Sequence, residues 1–271
     1  MANVVNQPDG GSTSPKNPPD ALSYPLWEVV YDVDWTAQSN RDLTDGGGVE
    51  TIDGVSWNPE QTGNATSMDI INGTGLQIVP SAGSFWTGSK TAPRVHAFVA
   101  DGSGPGHGEL VTGATSYDVI AFQYLLTVDT DISASGDAAG LATGNNTAAN
   151  YLTLCRTHDG TAKRTSLRGE DGASNDAYYV TTATAKTFHE IVVFPGGTMS
   201  AYSTADTDLA DPLTRQSDFK SAGQVSGTSV YPSTDFDIFG SSGASWRLWL
   251  YASQAGSYTF TRFRVLKGLW S

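Results

Sequence analysis

The sequence predicts an all-β fold, an antiparallel β-sandwich preceded by an extended N-terminal arm, and three observations carry that reading. Short stretches alternate apolar and polar residues with a period of two, and no stretch has the 3.6-residue period of an amphipathic helix. The acidic residues are 22 Asp against only 6 Glu, a balance that favours turns and caps over helix interiors. Thirty Gly and twelve Pro supply the positive and fixed φ angles that many tight connections require.

Residues 1–24, MANVVNQPDGGSTSPKNPPDALSY, are polar and Pro-rich. They lack the basic n-region and apolar h-region of a signal peptide. They are expected to form a flexible or extended arm, because so few apolar side chains cannot offset the entropy of folding. Residues 25–271 are expected to form one sandwich domain, a length within the range of single β domains. Its first strand is 26–35, with Trp27, Val29, Tyr31, Val33 and Trp35 on one face and Glu28, Val30, Asp32 and Asp34 on the other. Residues 40–50 read as a loop. Strands follow across 49–57 and 66–80, the latter folded at Asn72-Gly-Thr-Gly75, a hairpin signal.

Further strands are expected at 94–99, 117–128, 138–144, 149–156, 163–169, 177–182, 187–194, 198–203, 234–240, 245–252 and 257–267. Two of them, around 119–122 and 246–251, are apolar on both faces and should be central. The stretches 101–108, 204–212 and 217–233 read as exposed loops.

Composition excludes several functions. A formal net charge of −13 argues against nucleic acid as a partner, because that binding depends on clusters of Lys and Arg. No apolar run approaches the 18 or more residues of a membrane span. Cys155 is the only cysteine, so no intrachain disulfide can form; it reads as a small core hydrophobe. His96, His107, His158 and His189 show no zinc-ligand spacing, and structural roles are expected for them. The Asp clusters at 129–137 and 206–211 match no EF-hand loop and read as turn caps. No metal and no cofactor is expected.

Three stretches together resemble a known fold family. These are 73-GTGLQIVPSAG-83, 188-FHEIVVFPGGTMSAYSTAD-206 with 211-DPL-213, and 246-WRLWLYASQAGSYTFTRFRVLKG-268. They are similar to an early hairpin, the central hairpin and the terminal strand pair of the concanavalin A-like, laminin-G-like jelly roll, as found in tailed-phage virion proteins. The resemblance covers about residues 25–268 and rests on strand and turn patterns, not on chemical motifs. It implies that the last strand, 257–266, returns beside the first.

Lectins, glycosidases, adhesion modules and virion proteins all use this fold. The glucanases that share it carry Glu-x-Asp-x-Glu or Glu-x-Asp-x-x-Glu on one strand, and neither string occurs here. Glu28 and Asp32 come nearest, but they read as a solvated face. The expectation is a non-enzymatic bacteriophage virion protein, a capsid decoration, head fibre or tail-associated component located in the virion. It would attach to other capsid or tail proteins through Val4, Val5, Pro8, Pro15, Pro18 and Pro19 of the arm and act as a homo-oligomer. The alternative is a carbohydrate-binding, lectin-like module for host surface glycan, with Trp57, Phe85 and Trp86 as candidate glycan-binding residues.

Overall fold

A computed structural model describes residues 26–44, 48–84, 91–100, 111, 119–129, 138–145, 150–158, 163–171, 175–182, 187–193, 199–205, 209 and 246–269. The strands are β1 (Leu26–Asp34), β2 (Arg41–Asp42), β3 (Glu50–Ile52), β4 (Val55–Glu60), β5 (Ala65–Ile71), β6 (Gly75–Pro80), β7 (Arg94–Ala100) and β8 (Val119–Val128). They continue as β9 (Ala138–Asn145), β10 (Asn150–His158), β11 (Lys163–Asp171), β12 (Asn175–Thr182), β13 (Phe188–Val193), β14 (Met199–Thr204), β15 (Trp246–Ser253) and β16 (Tyr258–Leu269).

They build two antiparallel sheets. The first has the order β14-β13-β8-β16-β6-β5-β2, with β1 also paired to β16. The second runs β12-β11-β10-β9-β15-β7-β4-β3. β16 serves two partners along one edge: Tyr258–Phe260 pair with β6, and Arg262–Leu269 pair with β1. The last strand therefore lies beside the first, as the fold resemblance implies. This non-sequential order is the jelly-roll wrapping.

The core lies between the sheets, filled by alternate residues of each facing strand. Ile120, Phe122, Tyr124 and Leu126 of β8 and Phe263 and Val265 of β16 meet Val95 and Ala97 of β7, Leu141 of β9, Leu154 of β10, and Leu248 and Leu250 of β15. Burying each such large apolar side chain stabilises the fold by about 1.5–3 kcal/mol, so a core of this extent holds a chain with no disulfide. β8 is buried on both faces from Val119 to Leu126. On β15, Leu248 and Leu250 enter this core, while Trp249 and Tyr251 point the other way and form a second buried cluster with Ala92, Ala138, Ala142 and Cys155. Both strands are central, as their apolar faces require. Cys155 is buried, as expected of a core thiol.

Local sequence sets the close approaches. The hairpin between β5 and β6 turns through Gly73 at φ +76°. At Gly75, φ is +128° and an added Cβ would lie 2.4 Å from the Phe260 carbonyl oxygen. Only glycine lets β6 start this close to β16.

The first strand departs from simple alternation. A bulge between Val29 and Tyr31 shifts its register against β16. Val29 is consequently 47% exposed, Trp27 and Tyr31 are half-buried, and Val33 is fully buried. An extra residue flips every side chain beyond it to the other face, which is why the five-residue apolar stripe expected across 27–35 is split. Trp35 leaves the strand for a short 3-10 turn, Trp35–Ala37, capped by the Asp34 carboxylate on the Thr36 amide at 3.0 Å. Within the expected 40–50 loop, Arg41–Asp42 pair with β5 as a two-residue edge strand. The expected strand at 234–240, and the 101–108 and 217–233 loops, lie outside the described residues.

Candidate functional site

The densest group of charged side chains among the described residues sits on the outer face of the second sheet, where β4, β7 and β15 run side by side. β4 is Val55-Ser-Trp-Asn-Pro-Glu60, and its alternation sends Val55 and Trp57 into the core. Asn58 and Glu60 therefore face outward. The register sets Asn58 opposite His96 and Glu60 opposite Arg94 on β7, and Trp249 opposite His96 on β15. Arg94 and His96 of β7 and Arg247 of β15 converge on Glu60 of β4.

Arg94 Nε donates to Glu60 Oε2 at 2.8 Å, and His96 Nδ1 lies 3.1 Å from Glu60 Oε1. Arg247 Nη1, reaching across β7, donates to the same Oε1. The Arg94 guanidinium stands 6.0 Å from the centroid of the Trp249 ring, a cation–π distance. Burial alone would raise the Glu60 carboxyl, but the His96 contact and the charge of Arg94 outweigh it and hold the group at about 2. Arg94 is lowered from its ordinary value by burial, against the pull of Glu60.

An ionised carboxylate fixed by two guanidiniums accepts hydrogen bonds but holds no proton near neutral pH. A general acid for glycoside cleavage needs a raised pKa. The group thus offers a polar array of hydrogen-bond donors and acceptors held by its own ion pairs. Glu60 and Arg247 each keep about 20% of their side-chain surface open to solvent.

A second charge array crosses the outer face of the first sheet. Asp32 takes a bidentate pair from Arg262, at 3.1 and 2.8 Å, and a further bond from Arg264 at 2.9 Å. Glu28 pairs with Lys267 at 3.0 Å. The two carboxylates expected on one solvated face are thus each engaged by cations of the neighbouring strand, but the bulge between Val29 and Tyr31 sets them on opposite faces of β1.

The aromatic candidates fare differently. Trp57 is 1% exposed, packed in the core with its ring 5.1 Å from Trp35 and 5.5 Å from Phe263. Its expected place at a sugar-stacking surface is corrected: the alternation of β4 turns position 57 inward. Phe85 and Trp86 lie outside the described residues, as do Val4, Val5, Pro8, Pro15, Pro18 and Pro19. Among the described residues no group of three or more His, Cys, Asp or Glu could hold a metal ion, and no helix is long and apolar enough to cross a membrane.

Sequence reading missed Glu60, Arg94 and Arg247 and gave His96 only a structural role. No local spacing could have found them, because Arg247 and Glu60 are 187 positions apart and meet only through the β15-β7-β4 order.

No family model matches the chain, and no curated protein matches it. Solved structures do. A GH43 protein of Bacillus licheniformis aligns with a TM-score of 0.52 at 13% identity, over 88% of this chain and 39% of that one. The chain therefore spans well under half of that protein's length. The CBM2 module of the evolved Dit protein of Lactobacillus casei BL23 phage J-1 aligns at a TM-score of 0.43 and 12% identity, over 89% of this chain and 96% of that one. The Emp47p carbohydrate recognition domain aligns at 0.41 and 10%, over 90% and 97%. The strand order and the first of these likenesses establish the fold, a concanavalin A-like jelly-roll sandwich.

Proposed function

We propose that the chain is a non-enzymatic structural component of a bacteriophage virion, a capsid decoration, head fibre or tail-associated protein attached through its N-terminal arm. The observation that supports the non-enzymatic part is the state of Glu60, whose carboxyl is held ionised by His96 and Arg94 and so cannot serve as a proton donor near neutral pH; Asp32 is paired with Arg262 and Arg264. The polar arm, with Val4 and Val5 as apolar anchors and Pro8, Pro15, Pro18 and Pro19 excluding a helix, is suited to become ordered along a neighbouring capsid or tail protein. The acidic domain would then face solvent, where its charge favours solubility.

A second reading, a lectin-like module for host surface glycan, draws on the outer array of Asn58, Glu60, His96 and Arg247, which offers fixed donors and acceptors to sugar hydroxyls. Phe85 and Trp86 remain candidate stacking residues for it. A glycan array separates the two readings. The virion-structural reading expects no selective binding; selective retention of one glycan class, lost in Arg247→Ala, favours the lectin reading instead.

A further inference from the structure

Between the sheets, where β10 and β11 face β13 and β14, the core changes from apolar to polar. Arg156 of β10 follows Leu152 and Leu154 in the inward alternation, and only 3% of its surface is exposed. It stands opposite Thr165 of β11, whose hydroxyl accepts from Arg156 Nη1 at 3.2 Å. That hydroxyl lies 3.5 Å from Ser203 Oγ on β14 in the facing sheet. Ser203 Oγ in turn donates to the Phe188 carbonyl at 3.1 Å and lies 2.8 Å from His189 Nδ1. The His189 ring stacks on Tyr124, their centroids 4.8 Å apart.

A guanidinium carries five N–H donors and cannot shed its proton in a protein. Among the described residues Arg156 uses one donor, on a neutral hydroxyl, and no carboxylate stands within ion-pair distance. Burial pushes its own pKa down, against the pull of Cys155 and Tyr124, and burial also pushes the Tyr124 phenol well up, so that it carries no charge near neutral pH. A buried ion with no counter-charge is costly. The surrounding hairpin adds a second, independent observation. In a chain of net charge −13, residues 156–168 carry Arg156, Lys163, Arg164 and Arg168 against the single acid Asp159. The register puts Arg164 opposite Thr157 and Lys163 opposite His158, beside the Arg156–Thr165 pair.

We infer that Arg156, with the Thr165 and Ser203 hydroxyls, forms an anion site between the sheets that takes a small oxyanion, either a carboxylate or a sulfate group. Arg156 supplies the charge and the planar fork that matches two oxygens of such a group. Thr165 and Ser203 supply hydroxyls from opposite sheets. The oxyanion has two sources, a free inorganic anion or the acidic group of a sugar. The site is independent of the virion assignment, since an anion here leaves attachment through the arm unaffected.

The test is thermal unfolding of the full chain in sodium sulfate, acetate, glucuronate and neutral glucose, at an ionic strength held constant with chloride. Sulfate or a carboxylate should raise Tm saturably, by about 5–10 °C at 100-fold excess over Kd, and glucose should not. A larger shift with glucuronate than with acetate or sulfate assigns the site to an acidic sugar; a larger shift with sulfate assigns it to a free anion. Arg156→Met, similar in length and uncharged, should abolish the shift and keep or raise Tm in anion-free buffer. A second readout holds even if that variant does not fold: crystals of the unmodified chain soaked in selenate should show an anomalous peak beside Arg156. Absence of any saturable anion effect, an effect retained in Arg156→Met, or a selenate map without that peak overturns the inference.

Discussion

At the scale of single residues, the ion pairs around Glu60 dictate an acid-sensitive contribution to stability. Its folded-state pKa of about 2 lies below its ordinary value of 4.5. The stabilisation is therefore complete above about pH 4.5 and is lost as pH falls toward 2. Its size is on the order of 2–3 kcal/mol after allowance for partial exposure. Glu60→Gln should lower Tm at pH 7 and flatten the dependence of Tm on pH between about 4.5 and 2, which a series of thermal melts would register. An unchanged acid limb in the variant would show that another carboxylate governs it. Trp57→Ala should cost about 3–5 kcal/mol, read by denaturant unfolding, since the ring is enclosed by Trp35 and Phe263. A loss below about 1 kcal/mol would return Trp57 to the surface and reopen its reading as a sugar platform.

At the scale of elements, β16 binds the first sheet together through β1, β6 and β8. A chain ending before Ser257 should lose cooperative unfolding and near-ultraviolet circular dichroism, because β1, β6 and β8 would each lose a ladder at once. Retention of a single sharp transition would contradict the topology. The close packing of β9 on β10 gives a finer test. An added Cβ at Gly140 would lie 2.2 Å from the Leu154 carbonyl oxygen and 2.6 Å from Cys155 Cα, so Gly140→Ala should destabilise by about 1–3 kcal/mol.

Elements are also where the sequence was most and least legible. The two-faced apolar strands β8 and β15 and the β5–β6 hairpin follow directly from side-chain periodicity and turn chemistry. The pairing of the first strand with the last came from the fold resemblance, which the register of β1 on β16 bears out. The bulge at Val29–Tyr31 left no mark in the sequence, because Val30 fits either face. Val29 therefore shares a face with Val33 in the alternation but not in the fold. The Glu60 array was invisible for a different cause, its members being joined only by sheet order. Trp57 ends an expected strand, where an aromatic reads as a surface platform, but the alternation of β4 turns it into the core.

At the scale of the whole molecule, the proposal is a rigid acidic jelly roll carried by its arm. On the non-enzymatic reading it should release no reducing ends from a broad panel of polysaccharides. Turnover that disappears in Glu28→Gln or Asp32→Asn would show that a carboxylate of β1 is catalytic after all. The attachment claim is tested most directly by deleting residues 2–22 and measuring the occupancy of the variant on assembled particles, alongside its unfolding midpoint in isolation. The account predicts a Tm within about 2 °C of the full chain, since the polar, Pro-rich arm has few apolar side chains to bury, and loss of particle incorporation. Occupancy equal to that of the full-length protein would contradict it and place attachment on the jelly roll itself.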